Sequence, residues 1–480
     1  MTTEPEHIII PTHIQQLVTV EQAWCYYILP KDSTHDTLTF YIDESRYNYD
    51  TGNDLELIFG KTIYFEKLPT EAITKALGKY YRKSSKGQNI VQGAVIDFND
   101  ENFLLQLIGE AHNIGCSDIH VEAFEEKCRI RLRIDGKLIE RYIINKSEYS
   151  LFTNKIKIKA NLDISEKRLP QDGRIFFENE STRFDIRVSV LPSMFGENIV
   201  LRLLSKDTAN IEISELGFKP EQLGDYLEGV KRPHGIILIS GPTGSGKTTT
   251  LYATLKIINK EEVKILTIED PIEYTLEGVT QVQLKEAIGL TFASTLRTFL
   301  RQDPDIIMLG EIRDGETAQM AVRAALTGHL VLSTIHTNSA WGTVSRLIDM
   351  GVPAFLIANT LNLTVAQRLI RLLCPHCKEE IDFDMGLLPR NFKPPVEIKT
   401  HFTSKGCEEC YFTGYRGRRA VYEVIPVDYE LSEHIKHSDL NVTKQIQDKG
   451  IKMLADSAME EFLKGNTSID EIYPILINTL

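Results

Sequence analysis

The chain has 480 residues, 42% of them apolar and 25% charged. That balance excludes disordered, collagenous and coiled-coil classes and leaves room for several domains of roughly 100–200 residues each. A formal charge of −13, from 54 basic and 67 acidic residues, argues against tracking nucleic acid through the overall field. No apolar run approaches the ~18–20 residues that span a bilayer, and residues 1–14 lack the pattern of a secretory signal. The expectation is a cytoplasmic protein that meets membranes through partners.

Residues 1–68 hold 11 acidic and 4 basic side chains, so much of the negative excess sits in one segment. Short apolar stretches there, Leu38–Ile42 and Leu55–Phe59, predict a small α/β module. The stretch Tyr80–Gln92 reads as a linker. Leu104, Leu107, Ile108 and Ala111 then share one face of a predicted helix. Residues 128–144 predict a hairpin, with Arg129, Arg131 and Arg133 alternating with Ile130, Leu132 and Ile134, and Asp135-Gly136 at the turn. A second hairpin runs from Arg174 to Leu191 around Asn179–Ser181, followed by a strand, Asn198–Leu204. Arginines gather on these strands: Arg129, Arg131, Arg133, Arg183, Arg187 and Arg202. A solvated strand face and a polyanion-facing surface explain them equally well.

Residues 205–214 read as a hinge, after which strands and helices alternate. Ile236–Ser240, Ile265–Ile268, Ile306–Leu309 and Leu330–Thr334 are buried-strand patterns; Thr291–Gln302 and Glu316–Leu326 are helical ones. Alternation of this kind implies a mostly parallel sheet covered on both faces.

The run Gly241-Pro242-Thr243-Gly244-Ser245-Gly246-Lys247-Thr248, with Thr249 beyond it, satisfies the phosphate-loop pattern between a strand and a helix. Glycines let backbone N–H groups wrap phosphates, and the helix N-terminus adds positive partial charge. In such loops the lysine, here Lys247, serves the β- and γ-phosphates, and the hydroxyl, here Thr248, serves Mg²⁺. The apolar strand Ile306–Leu309 leads through Gly310 to Glu311, an acid at the ligand-binding end of an open sheet. Ile265–Ile268 likewise leads into Glu269-Asp270-Pro271-Ile272-Glu273. One acid at these strand ends would hold hydrated Mg²⁺ while another polarises water. His329 and His336 flank Leu330–Ile335; of the two, His329 is the stronger candidate for a phosphate-linked switch.

Of seven cysteines, four form the pairs Cys374-Pro-His-Cys377 and Cys407-Glu-Glu-Cys410. Paired knuckles suit a structural tetrahedral Zn²⁺, with free thiols or a redox pair as alternatives.

Taken together, these motifs resemble one family, the secretion ATPases of type II secretion systems and their relatives that assemble type IV pili. The resemblance runs over about residues 103–475 and includes Gly115–Glu122, Arg168–Arg174, Asp185–Pro192, Gly196–Arg202, Glu269–Glu273, Arg297–Asp314, Thr327–Asn338 and Thr413–Arg418. It implies an α/β chain: a docking module (1–90), a PAS-like α/β domain (91–208) and a RecA-like ATPase domain (209–480) with a zinc insert (371–420). It further implies a homohexamer that uses ATP, Mg²⁺ and structural Zn²⁺ to drive pseudopilus assembly and protein export. Type IV pilus extension is the alternative, and nucleic-acid translocation a poorer one. The implied partners are an inner-membrane platform protein and a membrane docking protein that binds the N-terminal module. Matching positions assign Arg187 and Arg202, with Arg133 less firmly, and Arg297 and Arg301 to the transferred phosphoryl group. The resemblance favours Glu269 for water activation and Glu311 for Mg²⁺.

Overall fold

The computed structural model describes residues 8–81, 102–178, 182–204 and 211–477, apart from scattered positions before residue 20 and residues 35, 48, 126, 127 and 391. Most of the linker expected at 80–92, the first part of the hinge expected at 205–214 and the hairpin tip at 179–181 therefore lie outside the described residues. The chain divides into two compact units. One comprises residues 1–204 with 373–379 and 403–416; the other comprises 205–372 with 380–402 and 417–480. The cysteine-bearing segments are thus inserted into the sequence of the second unit but belong to the first.

The first unit begins with a three-stranded sheet of β1 (Ile28–Ser33), β2 (Thr37–Asp43) and β3 (Thr62–Leu68). β1 and β2 pair antiparallel, whereas β2 and β3 are parallel. A parallel pair needs a crossover, and the helix Tyr49–Phe59 supplies it. Trp24, Ile28, Leu38, Phe40, Leu55 and Leu77 are buried in this module's own core.

A six-stranded sheet follows: β4 (Cys116–Ala123), β5 (Cys128–Ile134), β6 (Lys137–Ile144), β7 (Gln171–Glu178), β8 (Arg183–Ser193) and β9 (Gly196–Leu204), in the order β6-β5-β4-β9-β8-β7. Every pair is antiparallel. Asp135 and Gly136 both take positive φ at the β5–β6 turn, as the hairpin signal requires. On β5, Cys128, Ile130 and Leu132 are buried with the helices Phe103–Asn113 and Lys146–Lys159, which leaves the arginines on the other face.

The second unit is built on β10 (Gly235–Ser240), β11 (Ile265–Glu269), β12 (Val279–Gln283), β13 (Ile306–Leu309), β14 (Leu330–Ile335) and β15 (Leu361–Leu373). β16 (Lys378–Asp382) and β17 (Thr400–Ser404) pair with each other, and β18 (Tyr415–Pro426) completes the large sheet, ordered β12-β11-β13-β14-β10-β15-β18. The pairs from β12 through β15 are parallel. All six residues of β10 are buried. Ile236 and Leu238 enter one apolar core, and Ile237 and Ile239 enter the one on the opposite face. That two-sided burial is why these strands read as unbroken apolar runs.

Candidate active site

A sheet buried on both faces leaves only its strand ends for chemistry. β10 ends at Ser240, and the phosphate loop turns there into the helix Lys247–Ile258. Two glycines are dictated by packing. A Cβ on Gly241 (φ +150°) would lie 2.6 Å from the Gln367 carbonyl oxygen, and one on Gly246 (φ +88°) 2.8 Å from Gln367 Nε2. Lys247 Nζ donates to the carbonyl oxygens of Gly241 (2.8 Å) and Pro242 (3.1 Å), so the ammonium already lies inside the loop. Burial pulls its pKa below the ordinary lysine range; Glu311 opposes that shift and Arg368 adds to it. Thr248 is exposed at the helix N-terminus. Ser245 Oγ is buried with no partner among the described residues. A glycine-lined cradle, an orphaned hydroxyl and an inward lysine fit a phosphate chain.

Glu311 arrives at the same edge. Leu309 is in register with Ser333, and Ser240 with Ile335, so residues 311, 336 and 241 all follow the carboxyl ends of neighbouring strands. The Glu311 carboxylate is paired with Arg313 and lies 3.2 Å from His336 Nε2. Burial alone would raise its pKa; Arg313 and His336 outweigh burial and hold it below the ordinary carboxylate range. Arg313 also lies 3.9 Å from Asp270. Arg368, on β15, donates to the Asn338 carbonyl oxygen at 2.9 Å, and its Nη1 would be 3.2 Å from a Cβ on Gly241. Arg313 and Arg368 escaped the sequence reading because neither stands inside a motif whose mechanism names it.

Two of the candidate residues have surroundings unlike the rest. His329 precedes Leu330, which is in register with Gly235, and its carbonyl accepts from the Gly235 amide at 3.1 Å. It therefore sits at the amino end of β14, about 20 Å from the phosphate-loop edge at ~3.3 Å per residue. The histidine at the site is His336. Glu269 is only 3% exposed. Its carboxylate accepts from Tyr252 Oη, from Thr267 Oγ1 at 2.5 Å and from Gln281 Nε2 at 3.1 Å. That carboxylate braces the end of β11; Asp270 and Glu273, just beyond it, are exposed.

Arg297 pairs with Glu316, and Arg301 Nη1 donates to the Arg297 carbonyl oxygen at 2.9 Å; both are exposed. In the first unit the strand register aligns Arg133, Asp118, Arg202, Arg187 and Arg174 in one row across five strands. Asp118 Oδ1 accepts from Arg202 Nε at 2.9 Å, and Oδ2 lies 3.6 Å from Arg133 Nε. Glu122 pairs with Arg129 and Arg131 at 2.9 and 2.6 Å. The face is a cationic row with built-in counter-charges.

The four cysteine sulfurs lie within 4.8 Å of one another, and three of the pairs are at 3.8 Å. The edge of a tetrahedron with ~2.3 Å metal–sulfur bonds is about 3.8 Å. The Cys407 and Gly414 amides donate to Cys410 Sγ at 3.2 and 3.3 Å. The cluster fits a metal ion. No described helix is long and apolar enough to cross a membrane.

Comparison with known proteins identifies the family. The Type II/IV secretion system protein family model matches residues 99–474. The chain is 45% identical over 368–385 residues to several type II secretion proteins. One is the Type II secretion system ATPase E of Vibrio cholerae, matched over 373 residues, 76% of this chain and 73% of that one. It is 41% identical over 449 residues to the Type IV pilus assembly ATPase PilB of Myxococcus xanthus, 88% of this chain and 79% of that one. Among solved structures, the ATPase DotB of Legionella pneumophila superposes with a TM-score of 0.60 at 22% identity, over 79% of this chain and 96% of that one, and shares the RecA-like fold. The chain is a member of the type II/IV secretion system protein family.

Proposed function

We propose that this protein is the cytoplasmic ATPase of a type II secretion system, working as a homohexamer with inner-membrane partners that bind its N-terminal module. The observation that carries the reading is the convergence of Lys247, Glu311 and His336 on one edge of the sheet, in a chain 45% identical to a named type II secretion ATPase. The loop Gly241–Thr249 binds the phosphates of ATP through backbone amides, and Lys247 turns from its own loop carbonyls toward the β- and γ-phosphates. Thr248 and Glu311 would hold Mg²⁺, which when bound neutralises charge on the phosphates. His336 and Arg313 orient Glu311. With Glu269 buried, the acid that polarises water comes from Asp270 or Glu273. Arg187, Arg202, Arg297 and Arg301, assigned from the family pattern, supply positive charge to the phosphoryl group in flight.

The test is hydrolysis of ATP by the purified protein with Mg²⁺ and with EDTA. Turnover that needs neither Lys247 nor a divalent cation would refute the reading. The PilB relative, which spans 88% of the chain, favours pilus extension as a second reading. Complementation separates the two: a secretion-deficient strain regains export under the first, and a strain lacking its pilus extension ATPase regains pili under the second.

A further inference from the structure

We propose that the four-cysteine knuckle is an internal clamp: its metal holds Tyr411 and Phe412 in a fixed turn that fastens the N-terminal module to the six-stranded-sheet domain. The inference is independent of the ATPase reading.

Three observations within the first unit carry it. The first is the backbone. Tyr411 (φ +52°) and Phe412 (φ +57°), directly after Cys410, are both left-handed. Two successive bulky residues rarely adopt that region, and they persist there only where surroundings over-determine it. Here the knuckle does so: the Phe412 amide donates to the Cys407 carbonyl oxygen at 2.8 Å, and the Gly414 amide to Cys410 Sγ at 3.3 Å.

The second is where Phe412 goes. It packs against the apolar core of the N-terminal module. Its ring fills the space above Gly78 on the helix Thr70–Tyr80, so closely that a Cβ on Gly78 would lie 2.5 Å from it. The absence of a side chain at position 78 is what makes the slot. Lys405 reinforces the contact, lying 3.7 Å from Glu71 on that helix and 2.9 Å from Glu379 beside the first cysteine pair.

The third is the other side of the turn. Lys137 Nζ, on β6, lies 5.8 Å from the centre of the Tyr415 ring. Tyr411 is within electrostatic reach of Arg141 on β6 and of its ion-pair partner Glu110. One short loop thus faces both domains. The loop is cross-linked where Cys374 and Cys377 meet Cys407 and Cys410, and a metal shared by four thiolates would supply folding free energy to such a link.

The experiment is hydrogen exchange by mass spectrometry on the full-length, zinc-loaded chain, with metal content measured in parallel. Phe412→Ala leaves all four cysteines in place. It is expected to keep one zinc per chain while exchange in Thr70–Tyr80 rises about tenfold or more, the helix Lys146–Lys159 staying unchanged as the internal control. Removing zinc from the wild type with a chelator is expected to give the same local rise, and Lys405→Ala a smaller one of about twofold. Unchanged exchange in Thr70–Tyr80 for zinc-retaining Phe412→Ala overturns the clamp. So does chelation that leaves that helix protected, or that raises exchange equally in Lys146–Lys159.

Discussion

The two large sheets of this protein solve opposite problems. The seven-stranded sheet is parallel over most of its width and apolar on both faces, so its strands cannot carry polar chemistry along their length. Gly241–Thr248, Glu311 and His336 all lie past its carboxyl ends. The six-stranded sheet is antiparallel and apolar on one face only, which frees the other for the row Arg133, Asp118, Arg202, Arg187 and Arg174. Charge is displayed at an edge in one sheet and on a face in the other, because burial decides which backbone positions can carry it.

Substitutions can break that contrast, and the edge is expected to show the largest effects. Lys247→Ala removes the ammonium from the phosphate loop. ATP turnover should fall on the order of a thousandfold with the far-ultraviolet circular dichroism unchanged. Glu311→Gln keeps the shape and removes the charge; a loss of about a hundredfold in kcat is expected, again without loss of fold.

On the face, the same kind of change should register first as stability. Asp118, 6% exposed, is the counter-charge between Arg202 and Arg133. Asp118→Ala is expected to cost about 1–3 kcal/mol in denaturant unfolding. Burial alone would raise the pKa of Asp118; its bonds from Arg202 and Ser117 outweigh burial, so the folded value lies below the ordinary one. Its contribution to stability is therefore complete above the unfolded pKa of about 4 and drains away as pH falls through the folded value. The wild type, but not the variant, should show that slope.

The smallest effect compares the two ends of β14. His336→Ala should lower turnover about three- to tenfold by loosening Glu311, while His329→Ala should leave it within about twofold of the wild type. Equal losses in both would mean that the edge is not where the chemistry lies.

The phosphate loop was legible because its mechanism is written in contiguous residues, Gly241 to Thr248. The β5–β6 hairpin was legible for the same reason, with its alternation and its Asp135-Gly136 turn. The enclosure of Glu269 was not legible because the groups around it, Tyr252 and Gln281, come from another helix and another strand. Arg368 and Arg313 went unread because their positions follow from where β15 and the segment after β13 lie beside the loop.

The sequence alone therefore determined the kinds of element, the nucleotide chemistry and the four thiols, since each depends on local periodicity or short fixed spacings. Tertiary structure decided which histidine reaches the site, which acid is shut away, how five strands align one arginine row, and that a ring at position 412 closes over a glycine at 78. Those outcomes depend on strand direction, register and packing between segments far apart in the chain, and no local pattern encodes them.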